Sequence, residues 1–114
     1  MKYMGSKSRI VDNILPIIQE RLRDYNIKTY IEPFCGGCNV IDKVQCDIKI
    51  ASDNHKYLIE MFKNLNQIQN LPEFITKEHY SDVRECFNKG LSQYPDWYIG
   101  AVGFLSSYNG RFFD

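Results

Sequence analysis

The sequence predicts an α/β fold in which a parallel strand pair, joined by a glycine-containing crossover, leads into a segment made only of helices. Two stretches rich in β-formers, TYIEPF at 29–34 and DIKIAS at 47–52, flank a glycine pair and a short apolar run. Strand, helix, strand in that order implies parallel pairing. Before this unit apolar residues recur at helical spacing, and beyond Asp53 helical spacing is the pattern found.

In the first helix, over 7–24, Ile10, Ile14, Ile17, Ile18 and Leu22 form the apolar stripe, with Ser6 and Ser8 as caps at its start. Pro16 has no amide donor and crowds the preceding turn, which predicts a kink or a fresh start near Leu15. The first strand, over 29–34, contains Pro33, which pushes Glu32 toward extended backbone. A short helix over 40–44 follows the glycines, and the second strand, over 47–52, alternates polar and apolar residues. Leu58, Ile59, Phe62, Leu65 and Ile68 mark the next helix, and Tyr80, Val83 and Phe87, with Gly90 as a stop, mark another. Pro95 in a first turn opens a last helix that ends near residue 107. The expected division is 1–70, the beginning of an α/β domain, and 71–114, a helical region.

At 114 residues, 44% hydrophobic and 25% charged, the chain has the composition of one globular domain. Fourteen basic residues balance 14 acidic ones, so no global field draws it to nucleic acid or an anionic membrane, and any DNA contact must be local. The apolar run over 99–105 is far too short to cross a bilayer, and the polar, basic start MKYMGSKSRI is no secretion signal. The expected compartment is the cytoplasm, where the four cysteines stay reduced. Purely parallel sheets are normally larger and covered on both faces, and an isolated strand pair is marginal in water. The chain therefore reads as the first portion of an α/β domain whose other strands lie elsewhere. Its open sheet edge predicts self-association or pairing with a complementing chain.

The stretch YIEPFCGGCNV at 30–40 admits two incompatible chemistries. Cys35 and Cys38 have the spacing of a zinc half-site or a thiol-exchange pair. Zinc needs two further ligands, and Cys46, Cys86, His55 and His79 are scattered singly, so no metal is expected; cysteine also packs well beside a turn as a small apolar side chain. In the other chemistry the glycines matter. A strand ending at Phe34, then Gly36 and Gly37, then a helix start, lets bare backbone approach a ligand while amides face its anionic group. Asp53, at the end of the next strand, is placed to accept hydrogen bonds from ribose hydroxyls. No G-x-G-x-x-G is present, which disfavours a dinucleotide. A nucleoside with a compact amino-acid tail, S-adenosylmethionine, needs less room for phosphate. Taken singly, Gly36-Gly37 is equally an ordinary strand-to-helix turn and Asp53 an ordinary helix cap.

Three ordered blocks, YMGSK at 3–7, EPFCGG at 32–37 and SDNHKYLIEMFKNL at 52–65, resemble the opening of the Dam-type N6-adenine-specific DNA methyltransferases. EHYSDVRECFN at 78–88 and SSYNGR at 106–111 are similar to the helical region where that family begins to read DNA. The resemblance implies a partial Rossmann-like domain that binds S-adenosyl-L-methionine, and double-stranded DNA as the partner. It places Tyr3, Gly5 and Lys7 along the methionine end of the cofactor, with Met4 beside them and Lys7 opposing the carboxylate. Phe34, Cys35, Gly36 and Gly37 would form the loop beside the cofactor, and Asp53, next to Asn54, would take the ribose diol. Tyr108, Asn109 and Arg111 would face DNA, where an aromatic can fill the gap left by an extruded base and Asn and Arg can bond base edges or phosphate. The same residues read as an Asn-Gly turn ending a helix, and Phe112 and Phe113 suit a core equally.

The resemblance also exposes an absence. The family orients the target amine and the flipped base through an Asp-Pro-Pro-Tyr sequence, and the four prolines here, Pro16, Pro33, Pro72 and Pro95, are all isolated. No catalytic residue is assigned, and the expectation is an N-terminal fragment that holds the cofactor without turning over. Two other readings stand beside it: a non-catalytic remnant or assembly module, and a small zinc or thiol-redox protein using Cys35 and Cys38.

Overall fold

A computed structural model describes the whole of residues 1–114. They form two compact units, one of Gly5–Asn54 and one of Met1–Met4 with His55–Asp114. Residues 55–70, grouped with the strands by the sequence pattern, thus fold with the later helices.

In the unit Gly5–Asn54, the expected helix over 7–24 is two pieces, a 3-10 turn Lys7–Arg9 and helix α1, Val11–Asp24. Ser6 Oγ accepts the Ser8 amide at 3.1 Å and caps the turn. Ile10, with φ −114° and ψ 1°, separates the pieces. α1 runs on through Pro16, with no fresh start at Leu15. Pro16 is exposed, so water can serve the carbonyl that its missing amide leaves, while Val11, Leu15, Ile18 and Leu22 hold the helix to the core.

Strand β1, Thr29–Glu32, stops where Pro33 offers no donor, and strand β2, Ile48–Ala51, pairs with it in parallel. Thr29 lies opposite Ile48, and Ile31 opposite Ile50. Between the strands the expected helix over 40–44 is a 3-10 turn, Ile41–Lys43, flanked by buried Val40 and Val44. Tyr30 packs with these valines and with α1, so by the alternation of a strand Thr29, Ile31, Ile48 and Ile50 share the opposite face. There the isoleucines stand half-exposed. The two-stranded sheet is one layer of a mixed helix and strand architecture, consistent with the α/β class.

In the other unit the helix expected through 58–68 is broken into α2, Lys56–Lys63, and α3, Leu65–Ile68. The cause is local: the Asn64 side-chain amide donates to the Glu60 carbonyl at 2.7 Å, the acceptor its own backbone amide would use in a continuous helix. Helix α4, Lys77–Lys89, starts on Thr76, whose Oγ1 accepts the His79 amide at 3.1 Å, and stops at Gly90 with φ 67°. Helix α5, Asp96–Leu105, begins with Pro95 at the cap position rather than inside the first turn. α5 lies close on α2 because Gly100 has no side chain; a Cβ there would overlap the Tyr57 carbonyl and crowd Met61. Leu58, Met61, Ala101 and Phe104 form one cluster, and Val83, Ile99, Val102 and Phe113 another. No helix is long and apolar enough to cross a membrane.

Candidate functional site

The loop leaving β1 is fixed from both sides by groups distant in sequence. Past Glu32 the strand pairing continues as isolated bonds: the Ser52 amide donates to the Glu32 carbonyl at 3.0 Å, and the Cys35 amide to the Ser52 carbonyl at 3.0 Å. The Gly36 amide donates to Asp53 Oδ2 at 3.1 Å, so the glycine loop is tied to the end of β2. Gly36 sits at φ 51°, where a side chain would strain the backbone. The Cys38 amide then closes a turn on the Cys35 carbonyl at 2.9 Å, with Cys38 itself at φ 60°. On the other side Lys7 Nζ donates to the Phe34 carbonyl at 2.6 Å, and the Asn39 side-chain amide to Ser6 Oγ at 2.6 Å.

Of the residues expected around a cofactor, Gly5, Lys7, Phe34, Cys35, Gly36, Gly37, Asp53 and Asn54 lie in one unit. Direct hydrogen bonds join Lys7 to Phe34 and Gly36 to Asp53. The Gly36 amide, expected to face an anionic ligand group, is instead given to Asp53. Phe34 holds its ring 78% exposed, whereas Cys35 is 1% exposed and Gly37 is buried, so these two can offer a ligand little but backbone. Gly5 takes φ 82° in open space. Tyr3 and Met4 belong to the other unit, where the Tyr3 ring packs against Phe104 at 5.6 Å between centroids and Met4 is exposed.

Glu32 joins the loop from the end of β1, a position that no sequence motif singles out. Its carboxylate is 7% exposed; Oε1 accepts the Tyr30 hydroxyl at 2.9 Å, while Oε2 is buried with no hydrogen-bond partner. A buried carboxylate oxygen left in this state is costly and usually has a reason. The available signal was its position: an acidic residue closing a strand and immediately preceding the glycine loop. Burial, then the hydrogen bond to Glu32 and its charge, push the Tyr30 hydroxyl up to about 12. The thiols of Cys35 and Cys38 stand at the two ends of the turn that the Cys38 amide closes. Burial raises both, and Cys38 reaches about 12. No three His, Cys, Asp or Glu side chains gather as ligands for a metal ion.

The residues expected to face DNA lie on a 3-10 turn, Tyr108–Gly110, in the unit that holds α5. Asn109 is left-handed at φ 51°, Tyr108 is 73% exposed, and the Arg111 guanidinium lies over the Tyr108 ring at 5.8 Å. Gly110, at φ 69°, admits the Lys2 carbonyl where a Cβ would collide. Phe112 and Phe113 turn inward: Phe112 packs on His55, Tyr57 and Phe104, and Phe113 on Tyr80 and Phe87. The Ser107 hydroxyl fixes this reversal, accepting the Phe113 amide at 2.8 Å and meeting the Tyr80 hydroxyl at 2.7 Å.

No solved structure matches the chain. It is similar to the Type II methyltransferase M.MjaIII of Methanocaldococcus jannaschii, with 29% identity over an alignment 108 residues long, gaps included, that covers 78% of this chain and 37% of that protein. The chain thus spans little more than a third of the relative's length. Residues 3–101 match the family described as D12 class N6 adenine-specific DNA methyltransferase. With most of its length inside that match, the chain belongs to the D12 class of N6 adenine-specific DNA methyltransferases.

Proposed function

We propose that this chain is the cofactor-holding and first DNA-facing part of a site-specific DNA adenine-N6 methyltransferase that uses S-adenosylmethionine in the cytoplasm. Its α/β unit would be the opening of a Rossmann-like domain. The observation that carries the proposal is the bond from the Gly36 amide to Asp53 Oδ2, which gathers the glycine loop and the acidic end of β2 at one place.

The residues fit the group. The cofactor has an ammonium, a carboxylate, a ribose diol and an adenine. The orphan Oε2 of Glu32 is a buried acceptor of the kind an ammonium satisfies. Lys7 carries the charge that opposes a carboxylate, and the exposed Phe34 ring offers adenine an apolar face. An ionised carboxylate has about four lone-pair sites, so holding Gly36 does not exhaust what Asp53 can accept from ribose hydroxyls. When bound, the cofactor supplies an electrophilic methyl group; everything assigned to this chain is binding and orientation. Tyr108, Asn109 and Arg111 would meet DNA, as the start of a reading region over 71–114. The group that orients the target amine would come from an Asp-Pro-Pro-Tyr segment, which these residues do not contain.

Calorimetric titration tests the cofactor site. S-adenosylmethionine should bind weakly, and Asp53→Ala should weaken it by about tenfold, the loss of one hydrogen bond to a charged group. Equal affinity in the variant would remove Asp53 from the site. The 114 residues alone should transfer no methyl group to DNA; turnover would show that the Asp-Pro-Pro-Tyr segment is dispensable. A second reading, an assembly module, is favoured by the half-exposed face of Ile31, Ile48 and Ile50.

A further inference from the structure

We propose that Cys35 and Cys38 are a thiol–disulfide pair whose closure re-shapes the loop that carries Gly36. The turn already brings them within reach. Its closing bond, Cys38 amide to Cys35 carbonyl at 2.9 Å, joins residues three apart, and such turns hold their end Cα atoms within about 7 Å. Disulfides span roughly 4.4–6.8 Å between Cα atoms. The other cysteines are engaged elsewhere: Cys46 packs on the core of α1, and Cys86 Sγ donates to Gln93 Oε1 at 3.0 Å.

The chemistry balances with a low-molecular-weight disulfide such as oxidised glutathione as the oxidant. Cys38 is the more accessible thiol, Cys35 being 1% exposed. The Cys38 thiolate attacks one sulfur of the oxidant, and the first glutathione leaves as a thiolate that takes up the proton Cys38 gave up. Cys35 then attacks the Cys38 sulfur, releases the second glutathione with a proton, and closes the ring. Two protein thiols are oxidised and one external disulfide is reduced. Because burial keeps both thiols protonated near neutral pH, the exchange is slow; geometry decides where it ends.

Closure draws the two sulfurs to about 2.05 Å. Only Gly36 and Gly37 stand between the cysteines, and glycine backbone yields most readily. The bond between the Gly36 amide and Asp53 is therefore the part of the loop that gives way. The effect on cofactor affinity, and only that effect, rests on the function proposed above.

The test uses the whole chain, incubated with excess oxidised glutathione at mildly alkaline pH and then alkylated for peptide mass analysis. The peptide holding 35–38 should lose two hydrogens, two of the four thiols should disappear, and dithiothreitol should restore both. Cys35→Ser should stop at a glutathione adduct on Cys38. Should that variant fail to fold, the wild-type masses decide alone. Exchange of the Gly36 amide, followed by NMR, should quicken by about tenfold on oxidation, the loss of one hydrogen bond to a charged group. Intact thiols, an adduct that never closes, or a closed ring with unchanged Gly36 exchange would each overturn the proposal. S-adenosylmethionine should bind the oxidised form less tightly than the reduced. If neither form binds, the cofactor assignment fails, while the mass and exchange results still decide the thiol pair.

Discussion

Asp53 holds the Gly36 amide from the far end of β2, so its substitution removes a strut of the loop together with a ligand group. Asp53→Ala leaves the amide unserved, which costs about 1–3 kcal/mol, while Asp53→Asn keeps one oxygen acceptor and loses the charge and the second oxygen. Thermal melts should therefore rank wild type above Asn above Ala; equal melting points for all three would mean the bond contributes nothing to the fold. Tyr30 offers a pH signal of known sign. Its hydroxyl is raised from 10.0 to about 12, so the fold favours the protonated form, and the stabilisation is fully present below pH 10.0 and lost as pH climbs through about 12. Tyr94, bonded to Asp82 at 2.8 Å, is raised to about 12 and adds to the same decline. Tyr30→Phe should flatten the fall in melting temperature across this window, whatever it does to stability at neutral pH. An unchanged slope would show that Tyr30 ionises alike in folded and unfolded chains.

Gly100 inverts an ordinary helix rule. In an exposed helix, replacing glycine by alanine stabilises by about 1 kcal/mol. Here the added methyl meets the Tyr57 carbonyl, a backbone atom that cannot swing aside. Gly100→Ala should instead destabilise by about 1–3 kcal/mol through overpacking, read as a lower denaturant midpoint; a rise would mean α5 can back away from α2 freely. This contact also explains what the sequence left hidden. The strand pair, the loop between, the cap at Ser6 and the stop at Gly90 were legible, because each is set by neighbours a few positions away. The order of Gly36 and Asp53, one following each strand, was legible too, but not the hydrogen bond that joins them. The breaks at Ile10 and Asn64 were not; at Asn64, counting periods does not see a side chain take a backbone acceptor. Nor was the boundary between Asn54 and His55, which depends on which helices pack together. Glu32 escaped because an acidic residue in a strand is ordinary until its burial and its unpartnered oxygen are seen.

A two-stranded parallel sheet with three half-exposed isoleucines on one face carries an unmet need for cover. Covering the remaining half of each isoleucine gains about 1 kcal/mol. Two such faces packed together would gain about 6 kcal/mol, which falls between the roughly 4.1 and 8.2 kcal/mol of millimolar and micromolar dissociation constants. The loss of translational and rotational freedom works against this gain, so any self-association should be weak. Sedimentation velocity should accordingly show a mass that begins to rise only at millimolar concentration and above. Ile50→Lys places a charge in the middle of the face, opposite Ile31, at a site already open to water. It should return the chain to a monomer with an unchanged circular dichroism spectrum. A wild-type chain that stays monomeric at the highest attainable concentration would show that this face does not drive self-association. A variant that still associates would move the contact to another surface.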